Sequence, residues 1–108
     1  MRMESFTALA DPTRRRIVEM LASGELPAGD IARRFSMSAP AVSQHLKTLK
    51  AAHLVRVRVD AQRRIYSLDP QGLGELDRWL ANIRKFWTPK LDALERELLA
   101  AAERDRKR

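Results

Sequence analysis

The sequence predicts a mainly α-helical domain that carries one two-stranded β-hairpin and ends in a long helix. Three observations predict this fold class. Apolar residues recur every three or four positions over most of the 108 residues, which is typical of amphipathic helices. Over residues 54–69 the period changes to two, which is typical of strands. From residue 71 to residue 102 the helical spacing resumes without interruption. We expect a single domain of residues 1–108.

The N-terminal segment predicts two consecutive helices. The first covers residues 5–10 and presents Phe6 and Leu9 on one side. The second begins in the stretch ADPTRRRIVEML, where Asp11 is a suitable N-cap and Pro12 suits the first helical position. Three consecutive arginines in this stretch, at positions 14 to 16, are expected to form a solvated face.

Two further short helices follow, joined by a tight connection. Pro27 opens the first, PAGDIARRF, and about three residues, SMS, separate it from a second helix in SAPAVSQHLKTLK. The spacing of Val42, Leu46 and Leu49 places these three side chains on one face of the second helix. Two short helices joined in this way are the signature of a helix-turn-helix at residues 27–51, and its second helix enters the major groove of DNA.

The hairpin predicted for residues 54–69 is the wing of this motif. Valines at positions 55, 57 and 59 alternate with arginines at 56 and 58, so that the two types occupy opposite faces. The turn is Asp60-Ala61-Gln62, and RRIYSL returns as the second strand. Together with the preceding helices, this hairpin predicts a winged helix-turn-helix fold.

The C-terminal helix predicted for residues 71–102 has an apolar stripe close to a heptad repeat. Its aromatic residues widen the stripe beyond what one small domain needs to cover. Pro89 lies inside the helix, and because the stripe keeps its phase we expect a kink without a change of direction. The wide stripe and the apolar N-terminal helix predict a homodimer; a ligand pocket is the alternative for the aromatic residues. The expected interface residues are Phe6, Leu9, Trp79, Ile83, Phe86 and Trp87.

Composition indicates a polyanionic partner. Lys and Arg total 21 against 14 Asp and Glu, a net charge of +7, although charge alone does not separate DNA from RNA or an anionic membrane. There is no cysteine, which excludes disulfides and thiolate metal ligands. No apolar run approaches the roughly 18 residues of a membrane span, and the N-terminus lacks the apolar region of a signal peptide, so we expect a cytoplasmic protein. No catalytic constellation appears, and we expect neither enzymatic activity nor a cofactor.

The outward face of the second helix in the helix-turn-helix contains no acidic residue. A glutamine there suits bidentate reading of adenine, and a lysine suits phosphate or guanine. The arginine-rich wing turn suits a narrow minor groove. The residues expected to contact DNA are Ser38, Pro40, Ser43, Gln44, Lys47, Gln62 and Arg63. Of the two histidines, His45 is expected to be a packed structural residue and His53 a helix cap, since two histidines alone do not form a metal site.

Three stretches carry a resemblance to a known family: ALADPTRRRIVEML, GDIARRFSMSAPAVSQHLKTLKAAHLVRV and RRIYSLDP. They cover most of residues 8–70 and resemble the ArsR/SmtB family of bacterial winged-helix repressors. The terminal stretch RKFW, followed by LDALERELL, is similar to a branch of that family without the metal sites. The resemblance implies a homodimer that binds a palindromic operator and represses transcription, often of its own operon.

Several positions depart from the family pattern. The arsenic and cadmium sensors have a Cys-x-Cys pair before the Asp that corresponds to Asp30, whereas this chain has Pro27 and Gly29 there. Zinc sensors place Asp and His pairs on the last helix, and this chain has no histidine after His53. Metal sensing through these sites is therefore not expected. His53 and Ala61 also replace two glycines that are usual in the family.

Two other classes of function remain open at this point. A sequence-tolerant RNA- or nucleoid-binding protein would use the same positive charge, with equal affinity for any duplex. A protein-interaction module would use the apolar helices, and its binding would change little with salt because no counterions would be released.

Overall fold

The structure is a computed structural model that describes residues 3–107. The chain divides into two compact units, the first ending at Leu76 and the second beginning at Asp77. The helices are α1 (Met3–Leu9), α2 (Pro12–Leu21), α3 (Ala28–Ala32), α4 (Ala39–Ala51) and α5 (Pro70–Arg106). The strands are β1 (Leu26–Pro27), β2 (Val55–Asp60) and β3 (Arg63–Leu68).

The start of α2 is fixed as the sequence predicts, and its arginines have a further role. The carboxylate of Asp11 accepts a hydrogen bond from the Arg14 backbone N–H at 3.0 Å, and Pro12 begins the helix. The Arg14 side chain donates to the carbonyl oxygens of Ala8 at 2.6 Å and Thr7 at 3.2 Å. These carbonyls belong to the last turn of α1, whose orphan acceptors need partners. The arginine predicted to be solvated therefore fastens α1 to α2.

The helix-turn-helix is present, but its first helix is shorter than predicted. α3 ends at Ala32, and residues 33–38 form the connection to α4 instead of the three residues SMS. The chain leaves α3 through tight turns, in which Arg34 and Phe35 donate backbone hydrogen bonds to residues three positions earlier. The ring of Phe35 still packs against the core, which explains its helical spacing from Ile31.

The wing is a three-stranded antiparallel sheet, whereas the sequence predicted two strands. β1 pairs with β3, Leu26 opposite Tyr66 and Pro27 opposite Ile65, so the strand order is β1-β3-β2. A two-residue strand is too short to show a period of two, and pattern alone could not reveal it. Ile65 and Tyr66 are both buried although successive strand residues point to opposite faces, so both faces of the sheet are covered at this point of β3.

The core of the first unit lies where α2 and α4 pack against α1, α3 and the sheet. Val42, Leu46 and Leu49 are almost completely buried, as their helical spacing predicts. The buried apolar residues are Ala8, Ile17, Leu21, Ile31, Val42, Leu46, Leu49, Ala52, Leu54, Val55, Ile65 and Tyr66.

The C-terminal end of α4 is held by a group of backbone hydrogen bonds that we call the His53 joint, formed by His53, Leu54, Asp69 and Gly72. His53 has φ +59°, and it donates to the Lys50 carbonyl at 3.0 Å. Leu54 donates to the Leu49 carbonyl at 3.0 Å. This is the Schellman arrangement with its cap residue in the left-handed region, as predicted for His53.

The same joint starts the sheet and α5. The Asp69 N–H donates to the Leu54 carbonyl at 2.9 Å, and the Gly72 N–H donates to the His53 carbonyl at 2.8 Å. Gly72 is buried, and a Cβ atom added there would lie 2.2 Å from the His53 carbonyl oxygen. Only glycine therefore allows the first turn of α5 to approach α4 this closely.

The part of α5 in the second unit is a continuous helix with a mostly exposed apolar side. The helix continues through Pro89. Trp79 is 39% exposed, Ile83 38%, Phe86 73% and Trp87 53%. Of the helices in residues 3–107, none has the length and apolar character that crossing a membrane requires.

We predict that Gly72→Ala destabilises the protein by roughly 1–3 kcal/mol, because the new methyl group overlaps backbone atoms that the hydrogen bonds of the joint hold in place. Thermal unfolding by circular dichroism measures the change. Gly29→Ala is the matched control, because its Cβ would meet only the end of the Arg33 side chain, at 3.7 Å. Equal melting temperatures for the Gly72→Ala variant and the unmodified protein would contradict the close contact at the joint.

Candidate nucleic-acid interface

The outward face of α4 carries the residues that the sequence singled out. Pro40, Ser43, Gln44 and Lys47 are all exposed, while the opposite face of the helix is buried. Position along the helix explains this arrangement, because residues three or four apart share a face. The structure thus places four of the predicted DNA-contacting residues together on one exposed surface without an acidic neighbour on the helix.

Ser38 occupies the N-cap of α4. Its hydroxyl oxygen accepts a hydrogen bond from the Ala41 backbone N–H at 3.3 Å, so the side chain fixes where the helix begins. The hydroxyl hydrogen stays available as a donor, and the residue is exposed. Ser38 therefore has a structural role that is compatible with a DNA contact.

A groove separates α4 from the sheet, and we call it the α4 groove. Its volume is about 440 Å³. Its lining residues are Ser43, Gln44, Lys47, Lys50, Val57, Arg64 and Tyr66. Three of the predicted contact residues thus line one concave surface together with side chains that the prediction omitted. For Lys50 a signal was present in the sequence, because it follows Lys47 by three residues on the same helix face.

Gln62 and Arg63 lie apart from the α4 groove, at the wing turn. β2 and β3 pair up to Asp60 opposite Arg63, so Ala61 and Gln62 make the turn. Ala61 has φ +56°, and it adopts the left-handed conformation in place of a glycine. The two predicted wing residues line a second cleft of about 530 Å³ with α3, which we call the wing cleft.

Two other cations near the interface are paired with carboxylates within the chain. Arg58 donates to the Glu25 carboxylate at 2.6 Å, and this hydrogen bond lowers the pKa of Glu25 and raises that of Arg58. Arg33 pairs with Asp30 in the wing cleft. Both pairs are well exposed, so each adds little to stability, but each occupies an arginine.

His45 turns away from the outward face of α4. Its Nδ1 atom lies 3.3 Å from the Arg14 guanidinium and 4.0 Å from the Asp11 carboxylate. The backbone N–H of Arg14 and, less strongly, the charge of His45 lower the pKa of Asp11. The packed histidine is thus one of the contacts between α4 and α2. Within residues 3–107, no three His, Asp or Glu side chains are grouped closely enough to hold a metal ion.

Comparison with known proteins identifies the family. Residues 11–57 match the bacterial regulatory protein family arsR. The chain is 52% identical over 87 residues to the HTH-type transcriptional regulator Rv2034 of Mycobacterium tuberculosis, covering 81% of this chain and 78% of that protein. It is 40% identical over 77 residues to the transcriptional repressor SdpR of Bacillus subtilis, covering 71% and 86%.

Solved structures agree with this assignment. A possible transcriptional regulator for arsenical resistance superposes with a TM-score of 0.69 at 43% sequence identity, over 86% of this chain and 94% of that one. An ArsR family transcriptional regulator superposes with a TM-score of 0.73 at 27% identity, over 79% and 93%. The fold is therefore a winged helix-turn-helix, and the chain belongs to the arsR family of bacterial DNA-binding transcription regulators.

Proposed function

We propose that this protein is a homodimeric, sequence-specific repressor that binds a palindromic operator in double-stranded DNA. The observation that carries the proposal is the outward face of α4, on which Ser43, Gln44 and Lys47 are exposed together beside a groove lined by cations. α4 acts as the recognition helix, and Gln62 and Arg63 contact the flanking minor groove. The protein acts in the cytoplasm and needs no cofactor.

Gln44 is the residue that gives sequence specificity. Its planar amide combines a donor and an acceptor, and adenine presents the matching pair of groups in the major groove. Lys47 lies one turn further along α4 and presents a point charge on a long flexible stem, which suits a phosphate. The two side chains therefore serve different purposes on the same helix face.

Dimer formation covers the apolar surfaces that each unit exposes. In the first unit Phe6 is 37% exposed, and Leu9 is partly exposed. In the second unit the apolar side of α5 includes Trp79, Ile83, Phe86 and Trp87, and a patch of this kind marks an interaction surface. A two-fold dimer presents two recognition helices, and this symmetry requires a palindromic operator with half-sites about one helical turn apart.

The regulator does not respond to metals through the positions that the family's metal sensors use. Pro27 and Gly29 offer no ligand atoms in their side chains, and the last helix has no histidine.

We predict that Gln44→Ala weakens binding to the operator by about 1–3 kcal/mol and removes the preference at one base pair of each half-site. Lys47→Ala should weaken operator and scrambled duplexes alike and lower the salt slope by about one unit per subunit. A duplex selected in vitro from a random library serves as the operator, and affinities are measured by fluorescence anisotropy at several salt concentrations.

Two exposed residues away from α4 provide matched controls, Gln71→Ala for the amide and Lys107→Ala for the charge. If Gln44→Ala lowered both affinities equally, α4 would not determine specificity, and sequence-tolerant binding would be the better description. If binding by the unmodified protein hardly changed with salt, a protein-interaction module would replace the regulator.

We predict that zinc, cadmium and arsenite at stoichiometric concentration leave operator affinity unchanged, because the chain lacks cysteine and the family's other metal ligands. The same anisotropy titration, with and without each metal, measures this. A tenfold loss of affinity that a chelator reverses, about 1.4 kcal/mol of coupling, would show that the chain senses metals after all.

We predict that light scattering of the purified protein gives twice the 12.4 kDa mass of the chain. Phe86→Glu should shift the mass toward that of one chain, because a buried charge in the apolar interface is costly. Lys85→Glu is the control for the change of charge, because residue 85 is next to Phe86 in the sequence but does not belong to the apolar stripe. A stable monomer at micromolar concentration would refute the homodimer.

A further inference from the structure

The α4 groove has the chemistry of a site for a linear polyanion. Lys47 and Lys50 line it from α4, and Arg64 lines it from β3. Cations thus line the groove from both the helix and the sheet, and none of its lining residues in the described part of the chain is acidic. Within residues 3–107 none of the three cations has an ion-pair partner in the chain, in contrast to Arg33 and Arg58.

Tyr66 provides a second, independent observation. The residue is only 7% exposed and its ring belongs to the hydrophobic core, yet it lines the α4 groove. Among the residues that the structure describes, none forms a hydrogen bond with the Tyr66 side chain. The hydroxyl is nevertheless not a buried unsatisfied group, so it reaches solvent while packing holds its ring in place. It is therefore a positioned donor that can serve an acceptor bound in the groove.

The arrangement suits a phosphodiester more closely than a diffuse negative charge. Arg64 presents a planar fork that can bind two phosphate oxygens at once. The hydroxyl of Tyr66 donates from a ring that packing immobilises, so little entropy is lost on binding. Ser43 and Gln44 line the same groove, and a phosphate held there is next to the side chains that contact base edges.

We propose that the α4 groove seats the sugar-phosphate backbone of one DNA strand, with Lys50, Arg64 and Tyr66 as its phosphate-binding residues. This inference rests on the proposed binding to double-stranded DNA and adds three residues that fix the register of the recognition helix. The strand is the one that borders the major groove occupied by α4. Binding of this strand between α4 and the sheet determines how deeply Gln44 enters the major groove of the DNA.

The test compares Lys50→Gln, Arg64→Gln and Tyr66→Phe with Arg104→Gln, a control that removes an exposed arginine from the last turn of α5. The probes are a duplex selected in vitro with the unmodified protein and a scrambled duplex of the same composition. Lys50→Gln and Arg64→Gln should each lower the salt slope by about 0.9 per subunit on both duplexes. Tyr66→Phe should weaken both duplexes about tenfold and leave the slope unchanged, because the lost group is neutral.

Ethylation interference locates the contact on the DNA. For the unmodified protein, ethylation of a few phosphates in each half-site should block binding. Arg64→Gln should lose sensitivity at one of these phosphates, and Arg104→Gln should keep the whole pattern. Circular dichroism melting shows whether each variant is folded, and Tyr66→Phe retains the ring that packs in the core.

Slopes and interference patterns identical to those of the unmodified protein, in variants that are folded, would overturn the inference while leaving DNA binding intact. If inorganic phosphate, at ionic strength matched with chloride, displaced the duplex from the unmodified protein and not from Arg64→Gln, the groove would be a site for a free anion instead. Failure of the unmodified protein to bind any duplex, or a preference for RNA, would instead refute the proposed function itself.

Discussion

The backbone carbonyl of His53 is the point at which three parts of the fold are joined. It accepts a hydrogen bond from Gly72 at 2.8 Å, while the residue itself ends α4 in the left-handed conformation. The next residue, Leu54, is completely buried and holds Asp69 through its own carbonyl at 2.9 Å. The end of α4, the start of β2 and the start of α5 are therefore fixed within a few ångströms. A histidine is acceptable here because it enters the left-handed region more readily than most residues.

The geometry of the proposed DNA-binding surface depends on this joint. α4 ends just before the joint and β2 begins two residues after His53, so the helix and the sheet that line the α4 groove are connected at one hydrogen-bonded point. Pairing of β1 with β3 adds a second support, because it ties the sheet to the segment that leads into α3. Arg14 supports the opposite side of α4 through its contact with His45. The joint, the strand pairing and the Arg14 contact thus together hold α4 in position, with its polar face directed outward.

Much of the fold was predictable from periodicity, and the failures have physical causes. Both strands of the hairpin lie within the predicted range, since the alternation of Val55, Val57 and Val59 is long enough to define a register. β1 was missed because two residues, Leu26 and Pro27, carry no period. α3 was predicted too long because Phe35 keeps helical spacing while the backbone has already left the helix.

The candidate site was predictable only where local spacing determines it. The exposed face of α4 follows from the buried positions of the same helix, and its DNA-contacting role is still a prediction. Tyr66 could not be found this way, because only the tertiary structure shows that its buried ring also lines a groove beside α4. The structural role of Arg14 was hidden for a similar reason, since its acceptors are carbonyls of another helix.

The basic residues that give the chain its net charge of +7 are of two kinds, those paired within the chain and those without a partner in the described residues. This difference determines how we expect DNA binding to depend on salt. Arg14, Arg33 and Arg58 have acceptors within the chain. Arg14 fastens α1 to α2 and Arg58 joins β2 to the segment before β1, whereas Arg33 pairs locally with an aspartate of α3. A cation that is already paired in this way neutralises a DNA phosphate less readily. Lys47 and Lys50 have no such acceptor in the described residues, and each phosphate that they neutralise releases the counterions condensed on the DNA there. Under the proposed mode of binding, the salt dependence therefore reports the cations that contact phosphate, which we expect in the α4 groove and the wing, and not the total charge of the protein.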